Sequence, residues 1–315
     1  MSRVESYLPY LAGVGVALTW GFSFIFTRGA LDHLAPFHLL GLRFAAAVLA
    51  MALLRAFGAI NINVAPADYL SLLPLALFQP ILYFSAETTG ILLTSSSYAG
   101  MMIAVIPIFV AIFAALFLRE YPNWIQLVFI ITSVSGALFI IYMDARSIAG
   151  VNPLGTLLLM IAVIAGASFV IASRKASVDH SPIQTTWIMM VVGAVVFNII
   201  SLTQHIAAGN IGNYFTPLAE MWTAIIYLGV FSSVAAFFLY NYVLSKITAS
   251  QGSVFANMVT VVAIAAGVVF RGELVFWYHL AGTAAILAGV WGTNYFAAAV
   301  PKRYQESSQV TENTT

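Results

Sequence analysis

The chain has 315 residues, 62% of them hydrophobic and 7% charged, with a formal net charge of +1. Soluble domains carry about a quarter charged residues, and 12 basic plus 11 acidic side chains cannot clothe a globule of this size. That excludes a disordered chain, a nucleic-acid-binding surface and an ordinary cytosolic enzyme, and leaves a polytopic membrane protein.

In chain order, apolar runs of about twenty residues, the length that spans a bilayer as a helix, fall near 8–28, 35–57, 69–93, 96–118, 123–143, 153–173, 183–206, 219–244, 248–270 and 274–299. The punctuation between them is Ala35-Pro36, Pro66, Tyr121-Pro122, Asn152-Pro153, Ser181-Pro182, Thr216-Pro217 and Gly272. The connections are too short for a separate soluble domain. The first run flows into a full-length span with no cleavable signal pattern, and residues 300–315 form a polar tail without a motif. Zero cysteines exclude disulfides, thiolate metal sites and cysteine nucleophiles.

Cytoplasmic loops collect Lys and Arg. With the N-terminus inside, the inner side holds Arg3, Arg55, Arg119, Arg174, Lys175, Lys246, Lys302 and Arg303, against Arg28, Arg146 and Arg271 outside. Both termini are therefore expected in the cytoplasm, in a multi-pass cell-membrane protein.

The second half repeats the first. An offset of 153 pairs Phe84 with Phe237, Glu120 with Glu273, Trp124 with Trp277, Gly136 with Gly289 and Tyr142 with Tyr295. An offset of 145 pairs Gly21, Ser23 and Phe24 with Gly166, Ser168 and Phe169. Five spans per copy is an odd number, so the second copy enters the membrane from the opposite side. Such inverted repeats characterise transporters with a midplane binding site. The expected architecture is all-α, with ten transmembrane helices as two inverted five-helix repeats over 8–143 and 153–299.

These residues carry a resemblance to the drug/metabolite transporter superfamily, in its EamA-type group, over about residues 9–298. It rests on Trp20-Gly21-x-Ser23-Phe24, Arg43-Phe44, the stretch from Tyr83 through Glu87 and Gly90 to Pro107, Arg119-Glu120 and Gly136. The second copy departs from the pattern, with Thr260 where the family often has proline and Met189 opposite Arg43. The resemblance implies a central cavity surrounded by helices 1, 3, 4, 6, 8 and 9, and export of amino acids and related metabolites.

Ionisable groups in lipid are costly and need a partner or a wet cavity. Three lie within spans, Arg43, Glu87 and His279, each about 8–12 Å in from the outer face at ~1.5 Å per helical residue. In one reading Glu87 faces the cavity and meets a substrate amine or carries a proton. In the other it forms an ion pair with Arg43 that holds the bundle together. Gln79, Tyr83 and Glu87 share one helix face, and Pro80 invites a kink beside them. Trp20, Ser23, Phe24 and Thr27 make a polar-aromatic stripe on helix 1. Ser233, Phe237 and Tyr240 make one on helix 8, and Ser250, Ser253, Asn257 and Thr260 another on helix 9. Each hydroxyl or amide has the plainer reading of an interhelical hydrogen bond. With the resemblance, Tyr98, Met102 and Ser168 complete the expected cavity wall.

Trp124, Trp277 and Tyr278 read as interfacial anchors. Gly136, Gly282, Gly289 and Gly292 read as packing positions within the fold or at a homodimer seam. No P-loop or Gly-x-Ser-Gly motif is present, the aspartates are scattered, and no His pair or carboxylate cluster has metal-ligand spacing, so neither cofactor nor metal nor catalysis is expected. The sequence reads as a secondary transporter, without nucleic-acid partners, that exports a small amphipathic metabolite: an amino acid, a derivative or an organic cation. Alternating access is expected, with proton exchange resting on Glu87. A passive channel and an intramembrane enzyme are the alternatives.

Overall fold

A computed structural model describes residues 3–94, 99, 102–144, 152–215, 221–271 and 274–297, and among them the regular structure is helical, with no strand. The helices are α1 (Arg3–Leu31), α2 (Pro36–Ala56), α3 (Pro66–Leu93), α4 (Ile106–Leu118), α5 (Trp124–Asp144), α6 (Pro153–Ala176), α7 (Pro182–Ala207), α8 (Met221–Lys246), α9 (Ala249–Ser253 and Phe255–Arg271) and α10 (Trp277–Tyr295). A short helix, Ile211–Phe215, follows α7. Seven of these, α2, α3 and α5 to α9, are long and apolar enough to cross a bilayer, which makes this a multi-pass membrane protein. The tail lies outside the described residues.

The starts of the helices follow from local chemistry. Pro36, Pro66, Pro153 and Pro182 each open a helix at the position where a missing N–H costs nothing. Asn152 Oδ1 accepts the free N–H groups of Leu154 and Gly155. Ser181 with Gln184, and Thr248 with Gln251, form capping boxes on α7 and α9. α1 begins at Arg3, ahead of the apolar run, because a helix is free to extend past the hydrocarbon into polar surroundings.

Three helices depart from α geometry: α4 winds as a π-helix over Ala114–Leu118, and α3 and α8 do so at matching places. α3 winds as a π-helix over Leu77–Leu82, and Gln79 leaves helical geometry altogether at φ −149°, ψ 119°. Pro74 and Pro80 supply no N–H to the ladder there. α8 winds the same way over Tyr227–Ala235.

Packing sets the frame. α5 lies against α10 so closely that a Cβ on Gly136 would stand 2.7 Å from the Gly282 carbonyl oxygen. One on Gly292 would stand 2.2 Å from the Phe129 ring. These glycines therefore serve a seam inside the fold. Trp124 and Trp277 are exposed at the starts of the same two helices.

Cross-links also sort the helix ends. The connection after α4, the ends of α6 and α8 and the start of α9 meet through Glu120, Arg174, Leu244 and Ala249. The start of α3 meets the α6–α7 connection through Ser71 and His180. This end carries Arg55, Arg119, Arg174, Lys175 and Lys246, and is called here the basic end. At the far end, His38 on α2 contacts the Tyr214 carbonyl and His205 at the end of α7.

Candidate functional site

A cavity of about 170 Å³ lies among α1, α2, α3, α4, α6, α8 and α9. It reaches the last turn of α1 at Leu31, the first turn of α2 at Leu39 and the end of α3 at Ile91, all toward the far end. Toward the basic end it stops at an aromatic floor of Phe169, Phe237 and Tyr240. Phe169 and Tyr240 stack there with centroids 6.2 Å apart, and Phe237 stands edge-on to Phe169 at 6.0 Å.

The polar groups in this cavity come from two walls. On α3, Gln79, Tyr83 and Glu87 line it at four-residue spacing, and the Tyr83 hydroxyl donates to Glu87 Oε1 at 3.1 Å. On α2, Arg43 is 6% exposed. Its Nε donates to Ser233 Oγ at 2.7 Å and its Nη2 to Ser232 Oγ at 3.1 Å, both on α8. Its Cζ sits 4.7 Å from the centroid of Phe84, a cation–π contact. Within the π-helical stretch of α8, the Ser232 carbonyl accepts the Trp20 indole N–H at 3.1 Å. Trp20 in turn stands edge-on to Phe237 and Tyr240, with centroids 5.4 and 5.2 Å away.

Arg43 is thus held by neutral hydroxyls and a ring face, and Glu87 by a phenol. Among the described residues the ion pairs within 4 Å are Arg174–Glu120 and His180–Asp68. The direct ion pair with Arg43, one of the two readings of Glu87, is not among them. Two opposite charges line one cavity, each with hydrogen-bonding capacity beyond its protein partner.

Of the residues singled out in the sequence, Trp20, Ser23, Gln79, Tyr83, Glu87, Arg43 and Tyr240 line this cavity, with Thr27 beside them. Met102, Ser168, Asn257 and His279 are not among its lining residues. Met102 packs against the apolar core, and Ser168 is half-buried on α6. Asn257 points to α5 and donates to Ser133 Oγ at 3.2 Å. His279 caps α10, its Nδ1 accepting the Phe276 N–H at 3.1 Å. Tyr98 and the side chain of Phe24 lie outside the described residues. Sequence reasoning missed Phe84, Thr88, Phe169 and Ser232. Helical spacing points from Glu87 back three residues to Phe84 and from Phe84 on four to Thr88, and the 153-residue offset carries Gln79 onto Ser232.

The profile of the EamA-like transporter family matches residues 8–142 and again 153–295. A Bacillus subtilis (strain 168) protein called uncharacterized transporter YcxC is 40% identical over 296 residues, 93% of this chain and 95% of its own length. An uncharacterized transporter of Archaeoglobus fulgidus is 26% identical over 273 residues, 86% of this chain and 93% of its own. One solved crystal structure shares the fold, with a TM-score of 0.74 at 17% identity over 92% of this chain and 99% of that one. A family profile that matches twice, with a relative of such identity and coverage, identifies a transporter: the chain belongs to the EamA-like transporter family.

Proposed function

We propose that the protein is a secondary carrier that exports a small amphipathic metabolite with a cationic amine, an amino acid or a close derivative, by alternating access. Its ten helices form two inverted five-helix repeats, 8–143 and 153–299. The basic end faces the cytoplasm under the positive-inside rule, which puts both termini inside and the cavity toward the exterior. The observation that carries this reading is the separation of Glu87 from Arg43 within one aromatic cavity. A zwitterion laid across it meets a carboxylate at its ammonium and a guanidinium at its carboxylate. Trp20, Phe84 and Phe237 accept its apolar part. Phosphorylated or nucleotide substrates fit poorly, since among the described residues no lysine lines the cavity. Glu87 then exchanges a proton for the substrate's ammonium, which couples export to the proton gradient. The aromatic floor favours a carrier over an open channel.

The test is a thermal-shift screen of purified protein against amino acids, amines and other metabolites, followed by counterflow and pH-driven transport in proteoliposomes. The expected result is stabilisation by an aminated metabolite and its accumulation against a gradient. Glu87→Gln removes a charge-assisted contact, and should weaken binding by about 10–100-fold and abolish the response to the pH gradient. Normal transport by that variant with unchanged pH dependence would sink the proposal.

A further inference from the structure

Between the cavity floor and the basic end lie two layers of buried polar contacts. In the first, Ser173 Oγ donates to Asn241 Oδ1 at 2.7 Å and Asn241 Nδ2 donates to Thr186 Oγ1 at 3.0 Å, which ties α6, α8 and α7 together. In the second, Arg174 Nε donates to Glu120 Oε1 at 2.9 Å and its Nη1 to the Leu244 carbonyl at 2.8 Å. Glu120 Oε2 accepts the Ala249 N–H at 2.8 Å. Arg174 is 0% and Glu120 4% exposed. One ion pair therefore joins the end of α4, the last turns of α6 and α8 and the first residue of α9.

Its place relative to the cavity is fixed by helical spacing. Arg174 lies four residues beyond Val170, and Leu244 four beyond Tyr240, both of which line the cavity. Four residues are about one helical turn, ~6 Å. The four joined helices each contribute to the cavity wall, so parting their ends would open it toward the basic end.

A buried ion pair is weak evidence for stability, because well-packed apolar side chains of similar volume often do as well or better. What it offers instead is two acceptable states. Closed, the charges satisfy one another; parted, each is hydrated by the water that enters. An apolar plug has no comparable open state, since wetting it exposes hydrocarbon. We propose that Glu120–Arg174 is the gate that closes the basic end of the cavity, and that its separation opens the cavity to that side. The inference rests on the alternating-access reading above.

The absence of cysteine from the chain allows a direct test. Ser173→Cys places a reporter between floor and gate, and Ile91→Cys one near the far end of the cavity. Each is labelled in proteoliposomes with a membrane-impermeant maleimide from the nearer side. With the pair intact, Ser173→Cys should label slowly. Glu120→Gln leaves a buried guanidinium without its counter-ion in the closed state but hydrated in the open one. It should speed labelling at Ser173→Cys by about tenfold or more and slow it at Ile91→Cys. Glu120→Asp, which keeps a carboxylate to accept from Arg174 and the Ala249 N–H, should return both rates toward those of the intact pair. Unchanged labelling in Glu120→Gln would overturn the gate, as would fast labelling at both reporters in both variants, which would make the pair a folding element. Acceleration at Ser173→Cys without slowing at Ile91→Cys would keep the gate and sink alternating access.

Discussion

The stretch Leu77–Leu82 in α3 and the stretch Tyr227–Ala235 in α8 share an unusual winding, and the 153-residue offset carries the first inside the second. The side chains at those matched places differ. Gln79-Pro80 stands opposite Ser232-Ser233, and Glu87 opposite Tyr240. The neighbouring helices repeat the contrast: Arg43 and Met189 are each the eighth residue of a helix that opens with proline. Arg43 reaches both serines of α8. Met189 offers only its sulfur, 3.7 Å from Asn241 Nδ2. The two regions that match the family thus share a backbone plan and divide the chemistry between them. The first brings both charges; the second brings the hydroxyls that hold one of them and the whole aromatic floor. In the carrier proposed above, the shared backbone plan would give two similar ways to move, and the asymmetric lining would fix which way round a substrate lies.

Making the first region like the second is the strongest way to break this contrast. Arg43→Met removes the cation and leaves Ser232 Oγ without its donor. Loss of a charge-assisted contact of about 1.5–3 kcal/mol should weaken binding of zwitterions by about 10–100-fold. Amines of the same size without a carboxylate should bind as before. The ligand concentration for half-maximal thermal stabilisation, compared for the two classes, measures this. An equal loss for both would mean that Arg43 shapes the cavity without meeting the ligand.

The sequence made the charged pair of the cavity visible because charges are scarce in this chain and intramembrane ones stand out. Helical spacing likewise placed Tyr83 and Gln79 beside Glu87. Partners across helices were another matter. Nothing in the spacing of Arg43 points to α8, because the meeting depends on how two helices cross. The one-dimensional pattern suggested the nearest opposite charge, Glu87, whereas three dimensions supplied serines. Glu120 and Arg174 were hidden for a related reason. Each sits at a helix end, where topology alone explains an ionisable residue, and 54 residues separate them in the chain. The helix-9 stripe misled in the opposite direction. A polar face must point away from lipid, but it satisfies that by facing a neighbouring helix as readily as a cavity.

That last distinction makes a second, smaller comparison testable. Asn257 and Ser133 are both buried, and their contact joins α9 to α5 away from the cavity. Asn257→Leu should cost about 1–3 kcal/mol of stability by leaving the Ser133 hydroxyl unpaired. It should leave substrate affinity unchanged. A lowered melting temperature with an unaltered ligand concentration dependence is the expected pair of results. Weakened binding at unchanged stability would return Asn257 to the cavity wall.

The smallest effect concerns how the first region delivers Glu120 to the gate. α4 ends with Arg119 in the left-handed conformation, φ 57° and ψ 30°. The Glu120 N–H then turns back to the Ala114 carbonyl at 3.1 Å. This is the αL reversal that commonly ends helices, where glycine is the usual residue. A side chain costs roughly 1–2 kcal/mol in that conformation, partly offset by glycine's larger loss of freedom on folding. Arg119→Gly should therefore raise stability by up to about 1 kcal/mol, read as a small increase in melting temperature in detergent. Arg119→Ala keeps the steric cost and should give no such gain. With Ser173→Cys as reporter, neither variant should speed labelling, because the left-handed backbone, not the Arg119 guanidinium, turns Glu120 under the bundle. Faster labelling in both would assign the Arg119 charge to the gate; faster labelling in Arg119→Gly alone would show that a stiff turn is what keeps Glu120 in place.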